Sequence, residues 1–152
     1  MVGLDVSASG GNEIVSAAKA LKKKKLLGFL ADQDGYIHGL PVPFLGQPSS
    51  AVVGPATFAK KFGSPVVPIF TSRKPEGGHI VHILPPLHYN NSGDDDVDMY
   101  TLTEECVRVT EDFIREHPDE WIWFQHRWMT KMSEIVDYYK KLEIRERAHE
   151  KQ

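Results

Sequence analysis

Two aspartates one residue apart, Asp32 and Asp34, close the apolar run at 26–31 in the stretch LLGFLADQDG. Open α/β sheets gather their ligand groups just past the C-terminal ends of strands. Carboxylates placed there can bind a divalent cation, orient sugar hydroxyls, or share hydrogen bonds with an arginine. The same pair also serves as a plain solvated strand exit, and spacing alone leaves these alternatives open.

Other residue types with chemical potential are scattered more thinly. Gly54-Pro55 opens a predicted helix whose free N–H groups suit a phosphate, although every helix start has such groups. Arg73 follows a β-branched run and can reach a phosphate bidentately or form an ordinary exposed ion pair. The lysine run Lys22 to Lys25 fits an anionic lipid or an acidic carrier protein as well as a charged helix end. His79 and His82, three apart in a strand-like run, point to opposite faces and make poor joint metal ligands. Trp121, Trp123 and Trp128 read first as packing residues. No GxSxG elbow occurs, nor a Cys/His pairing with recognisable spacing. A histidine followed five positions later by an acid would form a base pair for a hydroxyl acceptor. None of the 7 histidines has it.

The chain of 152 residues is long enough for one domain with a real core. Its single cysteine, Cys106, cannot close an internal disulfide, which suits a reducing compartment. A formal charge of −3 argues against nucleic acid as a partner. The apolar runs are too short to span a bilayer, so a soluble or peripheral chain is expected.

The elements expected to position these residues alternate between helix and strand. Helical periodicity covers 12–21, and the continuous apolar run 26–31 predicts a central strand covered on both faces. A short helix is expected over 55–62, closed by Gly63. Residues 65–70 form a second strand, placed at an edge because Pro68 lacks a ladder donor. Gly77-Gly78 turns the chain into the hairpin partner HIVHIL. Residues 85–100 read as a loop, Thr103 as the cap of a helix running to about Glu116 with Cys106, Val109 and Phe113 inward, and Pro118 as its stop. The last element is an amphipathic helix over 133–150, with Ile135, Val136, Tyr139 and Leu142 on one side. The succession predicts an α/β sandwich, a mixed sheet flanked by helices.

Four ordered blocks, LGFLADQD, GLPVPFLGQP, GPATFAKKFGSPVVPIFTSR and EDFIREHPDEWIWFQHRW, resemble the C-terminal half of the lauroyl/myristoyl acyltransferases of bacterial lipid A biosynthesis. More remotely they resemble the glycerolipid acyltransferases. The resemblance implies acyl transfer from acyl carrier protein to a hydroxyl of a lipid A precursor, without a cofactor, on the cytoplasmic side of the inner membrane. It implies a general base in a His-x4-Glu box that these residues do not contain, so no catalytic residue is assigned and the isolated chain is expected to be inactive. Asp32, Asp34, Gly54, Arg73 and Arg127 become the acceptor- and phosphate-binding candidates, with no metal site. Gln125 and His126 stand where the family usually has His and Arg, whereas Arg127 and Trp128 keep its pattern. Residues 1–130 form the partial acyltransferase domain and 131–152 a helical extension. The rival readings are a metal-dependent glycosyltransferase of the Asp-x-Asp type and a non-catalytic binding or assembly module. If the first strand lacks neighbours, its edge invites a homo-oligomer.

Overall fold

The structure, a computed structural model, describes residues 13–88 and 91–150. The expected helix start at residue 12 and loop residues 89–90 lie outside these. Among the described residues, four helices and two small antiparallel sheets make up an α/β fold.

Helix α1 (Glu13–Lys22) ends in the lysine run. Lys24 takes the left-handed conformation at φ 57° while the Lys25 N–H donates to the Ala20 carbonyl, the bonding of a Schellman cap. Strands β1 (Leu40–Pro41) and β2 (Ser50–Ala51) pair through Leu40–Ala51 and Pro41–Ser50. Leu45 and Gly46 both have positive φ between Phe44 and Gln47, the geometry of a tight hairpin turn. Helix α2 (Gly54–Phe62) is closed by Gly63 at φ 62°, as Pro55 at its start and glycine at its end predict. Strands β3 (Ile69–Arg73) and β4 (His79–Ile83) form the expected hairpin around Gly77 and Gly78.

Helix α3 (Asp95–Glu116) is the scaffold, because it buries two faces. Val97, Tyr100, Val107 and Ile114 pack against Leu40, Val42, Phe44 and Ala51. Leu102 packs on the other side against Ala56 and Ala59 of α2. Helix α4 (Tyr138–Glu150) adds Ile144 and Ala148 to the first cluster.

Three elements differ from the sequence reading. Residues 26–31 form no ladder: among the described residues their backbone groups meet no backbone partner, and Leu26 and Leu30 are 83% and 74% exposed. Apolar character secured neither burial on both faces nor a neighbouring strand. Helix α3 begins eight residues before Thr103, because Asp94 accepts hydrogen bonds from the Asp96 and Val97 N–H groups and three acids occupy the first turn. That arrangement satisfies free N–H groups and complements the helix dipole, so the acidic run is a helix start, not a loop. Thr103 instead donates its hydroxyl to the Met99 carbonyl within the helix. The final helix is broken, with a 3₁₀ turn at Met132–Glu134 and Asp137 at φ 55° ahead of α4. Ile135 is buried as expected, but Val136 and Tyr139 face solvent, and Ile144 and Ala148 form the buried side.

Candidate functional site

A groove of about 510 Å³ lies among the extended segment 27–32, residues 64–71, helix α2 and helix α3. Its lining is largely apolar, including Phe29, Phe58, Val66, Val109 and Phe113. The size falls within the range of ligand cavities, roughly 300–1,000 Å³. Cys106, Val109 and Phe113, the helix face expected to point inward, line this groove. Asp32, His117, Glu120 and Trp121 add polar groups to the same wall.

Asp32 is held by two donors from the tail. Trp121 Nε1 and Gln125 Nε2 each donate to Asp32 Oδ2 at 3.2 Å, while Oδ1 accepts nothing among the described residues. One carboxylate oxygen is therefore fixed and the other available.

Asp34 is 5% exposed and faces elsewhere. It accepts from the Tyr36 N–H at 2.7 Å, the Thr130 N–H at 3.0 Å and the Thr130 hydroxyl at 2.7 Å. Burial pushes its pKa up, but these bonds and the Arg127 charge outweigh burial and hold the carboxyl below its ordinary value. The two aspartates thus have separate partners and do not converge on one point, which weighs against joint cation ligation by an Asp-x-Asp pair.

Arg127 is 1% exposed. It donates from Nη1 to the Ser50 carbonyl at 2.9 Å, and its guanidinium lies 4.5 Å from the centre of the Phe44 ring. This ties the tail to β2 and adds a cation–π contact. Burial lowers its pKa against the opposing charges of Asp34, Asp32 and Glu111. Arg73 stands at the end of β3 in the exposed ion pair, its Nε 3.1 Å from Glu120 Oε2 and its N–H 2.9 Å from Oε1. Gly54 opens α2 directly against Phe29, where an added Cβ would sit 2.7 Å from the ring. The structure therefore brings Asp32 to the groove wall, connects Arg73 to that wall through Glu120, and places Asp34, Arg127 and Gly54 in packing positions behind it.

Sequence reasoning missed Trp121 and Gln125 as partners of Asp32, and His117 and Glu120 as lining residues of the same groove. The available signal was Pro118, which stops α3 and starts the 3₁₀ turn Pro118–Glu120 that aims these side chains back. His82 lies 2.8 Å from the Ser72 hydroxyl, and its ring centre is 5.4 Å from that of His117; His79 is exposed. Trp121 and Trp128 pack on the core cluster, whereas Trp123 is half exposed.

An apolar groove with a fixed carboxylate on its wall suits a long hydrocarbon carrying a polar reacting end. Residues 3–130 match the bacterial lipid A biosynthesis acyltransferase family, and the chain belongs to that family. No curated protein matches the chain. Among the described residues no helix is long and apolar enough to cross a membrane.

Proposed function

We propose that this chain supplies the acyl groove and the acceptor-side carboxylate for transfer of a fatty acyl chain from acyl carrier protein to a hydroxyl of a lipid A precursor. The observation that carries the proposal is Asp32, a residue lining a largely apolar groove, whose Oδ2 is held by Trp121 and Gln125 while its Oδ1 accepts nothing among the described residues. The acyl chain lies in the groove, and Asp32 Oδ1 accepts a hydrogen bond from the acceptor hydroxyl and aligns it. The hydroxyl oxygen bonds to the thioester carbonyl carbon, the C–S bond breaks, and the departing thiolate receives the proton taken by the base. A base of the His-x4-Glu type belongs to the family resemblance and is not found within these 152 residues. The isolated polypeptide is accordingly inactive. Arg73, at the end of β3, is the exposed cation positioned to exchange Glu120 for an acceptor phosphate. The reaction takes place at the cytoplasmic surface of the inner membrane, where both substrates are available.

The test is Asp32→Asn in a protein that joins these residues to a segment bearing the His-x4-Glu box. Turnover should fall tenfold or more, about 1.4 kcal/mol, with the fold intact. Unchanged turnover removes Asp32 from the site.

A further inference from the structure

Cys106, Val109, Thr110, Phe113 and Ile114 of α3, with His117 at its C-terminal cap, line the groove. Steps of three and four keep them on one face, so α3 runs along the groove as a wall. From Cys106 to His117 the helix climbs about 16 Å. The two ends of that wall differ. At the His117 end stand both charged lining residues: the Glu120 N–H donates to the His117 carbonyl at 3.0 Å, and Asp32 is held by Trp121. At the other end the lining stops at Cys106, one turn after Leu102, which packs with Ala56 and Ala59 of α2 and with Leu87. Ala59 and Leu87 also line the groove, so this buried cluster is its floor. Phe29, its ring centre 5.7 Å from that of Phe58 on α2, walls the same end. Thr110 adds no unpaired donor between the ends, since its hydroxyl donates to the Cys106 carbonyl at 2.8 Å.

We infer that the acyl chain lies along α3 with its carbonyl at the His117 end and its methyl end on the floor, and that Cys106, with Ala59 and Leu87, sets the longest chain accepted. This direction rests on the acyl groove proposed above and adds an orientation and a limit to it. The span suits the ligand: a bilayer core roughly 30 Å thick gives one leaflet's tails about 15 Å, so one whole tail fits along the wall without folding back. The reverse orientation would carry the polar carbonyl to an apolar floor and leave hydrocarbon beside two carboxylates. Polarity at one end and closure at the other therefore select a single direction.

Cys106 is the single cysteine, so its alkylation reads the floor of the groove directly. Burial and Glu105 push its thiol up to about 12, so the reaction is followed at alkaline pH. The probes are straight-chain fatty acyl amides of increasing length, neutral so that Asp32 and Glu120 do not repel them, and calorimetry measures their binding to the 152-residue chain separately. Short amides should bind without slowing alkylation. Past a threshold length, alkylation should slow about tenfold or more, and still longer amides should bind more weakly. Cys106→Leu should move that limit to shorter chains with an unchanged far-ultraviolet circular dichroism spectrum; if the variant does not fold, the alkylation series on the parent decides alone. Amides that bind yet never slow alkylation, or slow it equally at every length, overturn the direction and leave the acyl groove standing. Failure of every amide to bind removes the groove as an acyl site and the direction with it.

Discussion

Trp121 donates its indole N–H to Asp32 across 89 positions of sequence, at 3.2 Å, and so fastens the tail of the family-matched region to the end of the apolar segment. The contact spends one carboxylate oxygen on structure, and the other accepts no hydrogen bond among the described residues. It also explains why the tail is rich in tryptophan: Trp121 and Trp128 both pack on Phe44 in the core, with ring centres 5.4 and 5.8 Å away. The carboxylate is thereby referred to the most buried part of the molecule. Such anchoring limits its freedom, which is what a group that aligns a hydroxyl requires.

If the groove holds the acyl chain, its volume decides which chains fit. Val109 lines it from α3. Val109→Phe should shift preference toward shorter acyl donors, lowering kcat/KM for the longest accepted chain tenfold or more, about 1.4 kcal/mol. A competition assay with acyl carrier proteins charged with different chain lengths checks this. An unchanged preference would place the acyl chain elsewhere.

Asp34 sets an acid limit on stability. Its native pKa is lowered, so the unfolded chain binds its proton more readily than the folded one. The stabilisation is fully present above the unfolded value, about 4. It is lost as pH falls through the lower native value. Thr130→Val removes the hydroxyl bond to Asp34 and should reduce stability at pH 7 by about 1.5–3 kcal/mol. The variant should lose less further stability below pH 4 than the parent does. Urea titrations at pH 7 and pH 3 measure both. An identical loss on acidification in parent and variant would assign the acid transition to other groups.

Much of this architecture was legible in the sequence, for local reasons. Pro55 and Gly63 bound α2, and Gly77-Gly78 turns the β3–β4 hairpin, because those residues state their own backbone geometry. The strand expected over 65–70 runs instead over Ile69–Arg73, with Pro68 just before its first residue. Other features depended on partners distant in sequence. Residues 26–31 read as a buried strand because apolar content does not say whether a neighbour exists. The start of α3 was hidden in an acidic run that resembles a solvated loop until Asp94 is seen capping it. Asp32 was legible as a candidate, but its holders Trp121 and Gln125 lie on an irregular segment that carries no periodicity. Asp34 and Arg127 were grouped with Asp32 by spacing and by family pattern. The fold points them into packing instead, since residues 31–33 turn between the two aspartates.

Residues beyond the family match contribute to the same core. Ile135, Ile144 and Ala148 are 3%, 6% and 1% exposed, Lys141 donates to the Gly39 carbonyl at 2.9 Å, and Arg147 pairs with Asp94 at the cap of α3. Ending the chain at residue 130 would uncover Leu40 and Tyr100. Burial of each isoleucine contributes about 1.5–3 kcal/mol, so the shortened chain should melt well below the parent or lose its cooperative transition. Thermal unfolding followed by circular dichroism decides. Equal melting temperatures would make 131–152 a dispensable extension.

Acyl transfer itself is the most direct test. The measurement is transfer of a labelled fatty acyl group from acyl carrier protein to a lipid A precursor, by three proteins: the 152-residue chain alone, the chain joined to a segment bearing His-x4-Glu, and that joined protein with Asp32→Asn. A positioned base contributes about 10²–10⁴-fold to such a step. The chain alone should therefore give no measurable transfer, the joined protein should transfer, and the Asp32 variant should be slower by tenfold or more. Robust transfer by the 152 residues alone, or full activity in the Asp32 variant, would contradict the account.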